Sequence, residues 1–276
     1  MHTSVLLEES IEALNIHHGG KYIDATYGLG GHSKQIIAAG GRILALDWDS
    51  EHVESQIAQG LPKEITLVQG NYADIKEIAE KHNWVPCQGV IFDLGLSMEQ
   101  IRSSGRGFSY QAGSEALDMR IDISIPINAA DIINSFSAQE LYGIFARNAE
   151  EISSRPIAEA IYQSRRVSRI KTVDQLIEAI KRVTRDKRTI ARIFQALRIE
   201  VNDEFNNIRR GLQGAYEILD TDGRIVIISF HPSEDRIVKN FIRTNLLRET
   251  TKKPIKSSSD KSFERSASLR IIEKSL

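Results

Sequence analysis

The sequence predicts an α/β fold, a doubly wound parallel sheet that carries an inserted all-helical domain. Three observations predict it. Residues 22–33 read Tyr-Ile-Asp-Ala-Thr-Tyr-Gly-Leu-Gly-Gly-His-Ser: a short apolar run, a glycine turn, and then an amphipathic stretch with Ile36, Ile37 and Ala38 on one side. A second apolar run, 42–46, ends in Asp47, 23 residues after Asp24. Strand signals then stop for roughly a hundred residues from Phe108, and helical periodicity takes over before another strand appears at 224–229.

The elements follow in order. Residues 4–14 mix apolar and acidic faces and read as a helix, and His17-His18-Gly19-Gly20 turns into the first strand. The helix after the glycine turn ends near Gly40-Gly41. After the second strand, 50–59 reads as a helix with Ser50 as N-cap and Glu51 in the first turn. Ile-Thr-Leu-Val at 65–68 is a third strand, 75–82 a helix, and 90–92 a fourth strand ending in Asp93. The helical block comprises 129–134, 138–146, 152–163, 172–183 and 190–208; Thr172 with Gln175 resembles a capping box. The continuous apolar run at 224–229 reads as a buried parallel strand after a turn at Asp222-Gly223. A helix at 233–247 and a strand at 265–273 complete the chain, the latter expected in an antiparallel edge hairpin. The expected organisation is a sheet domain in two parts, 1–107 and 205–276, with the helical insertion at 108–204.

The chemistry suggested by these positions is that of an adenosyl cofactor. Glycines at 28, 30 and 31 permit positive φ and close approach of backbone to a ligand, and the following helix start offers unpaired N–H groups. An acidic side chain at the end of the second strand can accept hydrogen bonds from both ribose hydroxyls. A dinucleotide fingerprint wants a third glycine where Ser33 stands, which weighs against a nicotinamide cofactor and suits one without a pyrophosphate. The bland alternative is a tight turn with Asp47 capping the next helix. Tyr72, beside Gln69-Gly-Asn at the third strand end, either flanks an adenine ring or lies in a surface turn. Asp93 lies across the switch point from the first strand, where ligands sit in such sheets, or else caps a helix.

Composition narrows the class. A chain of 276 residues, 41% hydrophobic, can bury a sizeable core, and its net charge of −1 gives no bulk signal. The single cysteine, Cys87, excludes an internal disulfide and fits a reducing compartment. No signal peptide or membrane-length apolar run is read, so a cytoplasmic protein without membrane association is expected. No metal-ligand spacing is apparent. Charge is uneven: residues 1–100 hold 6 basic and 14 acidic side chains, net −8, whereas 151–210 hold 14 and 8, net +6. The second stretch is the candidate polyanion surface. Arg165, Arg166, Arg169 and Lys171 form one basic run; Lys181, Arg182, Arg185, Lys187, Arg188 and Arg192 form another.

A set of motifs carries a resemblance over nearly the whole chain: His2-Thr-Ser-Val-Leu-Leu, Asp24-Ala-Thr-Tyr-Gly-Leu-Gly-Gly-His-Ser33, Asp93-Leu-Gly-Leu-Ser97, Arg106-Gly-Phe-Ser109, Leu117-Asp-Met-Arg120, Phe194-Gln-Ala-Leu-Arg-Ile199, Ser229-Phe-His231 with Glu234-Asp-Arg-Ile-Val-Lys239, and Arg265-Ser-Ala-Ser-Leu-Arg270. In these the chain resembles the bacterial ribosomal RNA small subunit methyltransferase H family. The resemblance implies a Rossmann-like methyltransferase sheet, S-adenosylmethionine as cofactor, and methylation of the exocyclic N4 amine of a cytidine in the decoding region of 16S rRNA. It implies cofactor contacts at Gly30, Gly31, His32, Asp47, Tyr72, Asp93 and Gln100, with His32 and Gln100 resting on the resemblance alone; by residue type His32 reads as a solvent-facing first-turn residue. Asp93, with the Leu94 and Gly95 carbonyls, is the catalytic candidate; Asp118 and His231 are weaker ones, with structural readings as partner of Arg120 and cap of a strand end. Implied partners are 16S rRNA or the small ribosomal subunit, with a homodimer open. The helical insertion is the expected substrate-recognition domain, and Phe108, Tyr110 and Phe230 are candidates for stacking on an unstacked base.

The chain departs from the family at Met98, Asn148-Ala149, Arg188-Thr-Ile190 and 231–235, mostly in or near the insertion. Two rivals use the same fold or surface: a nicotinamide oxidoreductase, and a nucleic-acid binding module without activity. A third is a methyltransferase acting on another RNA or nucleobase, because a fold does not fix a substrate.

Overall fold

The computed structural model describes residues 4–95, 104–251, 253–257 and 264–275. The chain divides into two compact units, one of residues 1–95 with 205–276 and one of residues 96–204. Residues 104–107, expected in the sheet domain, group with the helical unit.

The first unit is built on a mixed sheet. Its strands are β1 (Lys21–Asp24), β2 (Arg42–Asp47), β3 (Ile65–Gln69), β4 (Cys87–Asp93), β5 (Leu219–Ser229), β6 (Arg248–Glu249), β7 (Ile255–Lys256) and β8 (Ser268–Glu273). They run β3-β2-β1-β4-β5-β8-β6, with β7 also on β8. β1 to β5 are parallel, and β8 lies antiparallel against β5, β6 and β7. The order reverses between β1 and β4, so their carboxyl ends border the switch-point crevice.

Alternation fills both faces. Tyr22, Ile43, Ala45, Ile91, Val226 and Ile228 pack on one side, and Ile23, Leu44, Leu46, Val90, Phe92, Ile225 and Ile227 on the other, all at most 1% exposed. Burial on both faces is why these strands read as continuous apolar runs. Helices α1 (Leu7–Leu14), α2 (Gly31–Ala38), α3 (Ser50–Ala58) and α4 (Ile75–Lys81) precede β4. The turn expected at Asp222-Gly223 is instead a bulge inside β5. Leu219 pairs with Cys87 and Arg224 with Gly89, and Asp222 takes φ +60° to absorb the extra residues.

The helical unit contains α5 (Ala129–Ser135), α6 (Ala138–Ala149), α7 (Ser154–Val167), α8 (Val173–Lys181) and α9 (Lys187–Val201) around its own apolar core, including Phe145, Ile161, Leu176, Ile193 and Leu197. Asn128, Ser137 and Thr172 each close a capping box, which satisfies two backbone donors per helix start. The helix expected over 190–208 is two helices. Asp203 takes φ +48° and ends the first; α10 (Glu204–Ile218) begins anew. The break follows from Asn202, whose amide donates to the Met119 carbonyl at 2.7 Å and accepts from the Ile121 N–H at 2.8 Å. The chain re-enters the first unit at Phe205, so α10 beyond its first residue belongs there, as does α11 (Pro232–Thr244).

Candidate functional site

The site is assembled at the carboxyl ends of β1, β2 and β4 in the first unit. Asp24 closes β1 and is 2% exposed. Its Oδ2 accepts from the Ser33 hydroxyl at 2.6 Å and its Oδ1 from the Thr26 N–H at 3.2 Å. Burial pushes its pKa up, opposed by His32 and by these hydrogen bonds. Ser33, standing where a third glycine was sought, is therefore the clamp that holds Asp24 against the turn.

The turn from 25 to 31 is shaped by its own side chains. A Cβ on Gly30 (φ +71°) would come within 2.7 Å of the buried Tyr27 ring, and one on Gly31 would overlap the Ser4 hydroxyl. These two glycines are required by packing within the chain, a reason different from the ligand approach expected of them. Gly28 (φ +51°) is the glycine with open space beside it.

Asp47 ends β2 and ties it to the turn. Its Oδ2 accepts from the Gly28 N–H and its Oδ1 from the Asp49 N–H, both at 3.0 Å. The helix-cap alternative falls to Asp49, whose side chain accepts from the His52 N–H at the start of α3. His52 Nε2 bonds the Gly28 carbonyl at 2.6 Å and lies 4.0 Å from Asp47 Oδ2. Burial raises the Asp47 pKa. Each carboxylate oxygen has two lone pairs and uses one, so acceptor capacity for two hydroxyls remains.

Asp93 projects beyond Asp24, whose register partner on β4 is Ile91, and its N–H donates to the Thr26 hydroxyl at 2.7 Å. The side chain is 26% exposed, but Oδ1 is shut from solvent with no hydrogen-bond partner. His32 Nδ1 lies 4.0 Å from Oδ2, too far for a hydrogen bond. Burial, and after it the Asp24 and Glu234 carboxylates, push the Asp93 pKa up to about 8. His32 is 4% exposed, not solvent-facing, and its Nε2 also lacks a partner. Burial lowers the His32 pKa, which keeps the ring neutral.

The other candidates separate. Tyr72 stands in a short turn after β3, edge-on to Phe92 at 5.7 Å and packed against Gly211 of α10. Gln100 lies outside the described residues. Asp118 is committed to a two-pronged pair with Arg120, at 2.8 Å for each bond, which holds its pKa down. His231 caps α11, its Nδ1 accepting from the Ser233 N–H, while Glu234 accepts from the Phe230 and His231 N–H groups. Phe108 belongs to the helical core and Tyr110 meets Phe194 edge-on; Phe230 lies half-buried beside Gly95 in the first unit. Thr26, Ser33 and Glu234 are parts of the site that sequence reasoning misses. Short polar residues flanking the Asp24 and His231 strand ends are the available signal.

The basic runs of the helical unit also sort themselves. Arg165 donates to the Ile133 carbonyl at 2.5 Å and covers the Tyr162 ring. Lys181 pairs with Glu178, and Arg192 with the buried Glu151. Arg166, Arg169, Lys171, Arg182, Arg185, Lys187 and Arg188 are exposed. No helix among the described residues is long and apolar enough to cross a membrane.

The residues of the first unit fit an adenosyl sulfonium. Asp47 retains acceptors for hydroxyls, the backbone beside Gly28 is open, and Asp93 offers a buried carboxylate oxygen in need of a partner. Comparison with known proteins follows the same line. A model of the MraW methylase family matches residues 1–275. A protein of Deinococcus deserti named ribosomal RNA small subunit methyltransferase H is 38% identical over 283 residues, covering 99% of this chain and 93% of its own. Proteins of the same name from Thermomicrobium roseum and Desulfotalea psychrophila are 40% and 37% identical, covering 88% and 99% of this chain and 77% and 98% of theirs. A solved structure of a Thermotoga maritima O-methyltransferase aligns at a TM-score of 0.45 and 8% identity, over 100% of this chain and 68% of its own, too distant to bear on function.

Proposed function

The chain belongs to the MraW methylase family, and from that premise we propose that it is an S-adenosylmethionine-dependent methyltransferase of small-subunit ribosomal RNA, acting on the exocyclic N4 amine of a cytidine in the decoding region of 16S rRNA. The observation that carries the reading is Asp93: a carboxylate at a strand tip beside the glycine turn, with one buried oxygen unpartnered.

In this reading Gly30, Gly31, His32, Asp47, Tyr72, Asp93 and Gln100 hold the cofactor, which supplies an electrophilic methyl group. Asp47 takes the ribose hydroxyls, and Tyr72 borders the adenine. The protein's part is chiefly orientation, which can supply roughly 7–11 kcal/mol of a barrier when the attacking atom is held in line. Cytosine N4 is a poor nucleophile because its lone pair is delocalised into the ring. Asp93, with the Leu94 and Gly95 carbonyls, accepts the amine's N–H bonds, localises that pair and receives the proton released on transfer. The helical unit binds the phosphate backbone through its exposed arginines and lysines. A cytosine in folded RNA must leave its stack first, at a cost of a few kcal/mol.

Mass spectrometry of modified cytidines in 16S rRNA, from cells with and without this protein, tests the reading. N4-methylated cytidine should disappear with the protein and return with wild-type chain, but not with Asp93→Ala. Methylation at another base or another RNA, from purified protein and radiolabelled cofactor, would instead favour the alternative substrate.

A further inference from the structure

We propose that Asp93, flanked by Asp24 and Glu234, is held as a neutral acid until a sulfonium lies beside it, so that cofactor entry expels one proton and the subsite tells the methyl donor from its demethylated thioether by charge. The inference rests on the reading that the strand tips hold S-adenosylmethionine.

The geometry is that of a carboxyl group with one oxygen buried and no cation among the described residues to stabilise its charge. Asp93 Oδ1 is buried without a donor, and Oδ2 has only His32 Nδ1 at 4.0 Å. Among the described residues, the titratable groups that face it come from three elements. Asp24 at the end of β1 and Glu234 on α11 both repel its charge. His32 on α2 is buried and kept neutral, so it offers no cation. Asp24 accepts hydrogen bonds from the Ser33 hydroxyl and the Thr26 N–H, neither of which carries a positive charge. No Lys or Arg among the described residues pairs with Asp93. Its pKa of about 8 is the consequence. A positive charge within about 4–6 Å draws a carboxyl's pKa down by about 1–3, enough to ionise Asp93 at neutral pH. S-adenosylhomocysteine has the same amino and carboxylate groups as S-adenosylmethionine but a neutral sulfur. Any difference in proton release between the two ligands therefore reports the sulfonium.

Titration calorimetry of the full chain at pH 7, repeated in phosphate and in Tris, measures that release through the buffers' different ionisation enthalpies. S-adenosylmethionine should release close to one proton more than S-adenosylhomocysteine does. Its Kd, relative to that of the thioether, should tighten roughly tenfold per pH unit between about pH 6 and pH 8 and then level off. Glu234→Gln keeps a carbonyl oxygen to accept from the Phe230 and His231 N–H groups and should move that levelling to lower pH. Asp93→Asn should abolish the difference between the ligands. Equal proton release by both ligands in the wild-type protein overturns the inference while leaving the cofactor site intact. Absence of any binding overturns both, and neither result depends on how the variants fold.

Discussion

Two residues beside the strand tips have energetics that can be checked without substrate. Ser33 is fully buried, and its hydroxyl donates to the buried Asp24 carboxylate, which also accepts from the Thr26 N–H. Removing a partner from a buried acceptor costs about 1–3 kcal/mol. Ser33→Gly restores the three-glycine pattern of a dinucleotide turn, yet it should lower stability by that amount in urea titration and confer no binding of NAD. Asp93 carries a second prediction. Its folded pKa of about 8 lies above the ordinary carboxyl value of 3.8, so the native state holds its proton more tightly than the unfolded chain does. The resulting stability is complete below about pH 4 and is lost as pH rises to about 8. Asp93→Asn should therefore match the cofactor-free wild type near pH 4 and exceed it at pH 8–9 by about 2–5 kcal/mol, a range bounded by 1.36 kcal/mol per pKa unit. Equal pH profiles for the two proteins would show that Asp93 is ionised in the empty site.

At the scale of elements, legibility in the sequence followed the range of the forces involved. The alternating strands and helices were legible because β1, β2 and β4 are buried on both faces and must be apolar throughout. The capping box at Thr172 was legible because its partners are three residues apart. Asp47 and Asp93 were legible as strand ends, because a polar residue closes each apolar run. What was hidden is what distant residues impose. Gly30 and Gly31 answer to Tyr27 and Ser4, and His32 is buried where its helix position suggested solvent. The split at Asn202 is the plainest case, since an apolar period runs through it while a loop some eighty residues away claims its side chain. Asn202 is 1% exposed, and Asn202→Ala strands a loop carbonyl and N–H. The variant should lose about 2–3 kcal/mol in denaturant unfolding of the helical unit.

For the whole molecule, the division of charge makes the strongest functional statement. Residues 1–100 carry net −8 and residues 151–210 net +6, whereas the helical unit taken whole, residues 96–204, holds 16 basic and 15 acidic side chains, so attraction for a polyanion rests on its local basic runs and not on the unit's net charge. The structure further divides that positive charge by role. Arg165 is tied to the Ile133 carbonyl and the Tyr162 ring; Arg165→Glu should therefore unfold the unit before it tests any contact with RNA. Arg182, Arg185 and Arg188 are exposed and can be reversed at little cost to the fold. Arg182→Glu, Arg185→Glu and Arg188→Glu together should leave the thermal transition and S-adenosylmethionine affinity near wild type. RNA binding, in contrast, should weaken, and the slope of log K against log salt should fall by about 0.7–0.9 for each phosphate contact removed. The salt slope separates this outcome from general damage, because a misfolded unit would lose affinity and thermal cooperativity together. An unchanged slope with all three charges reversed would move the RNA surface to the run at Arg166, Arg169 and Lys171.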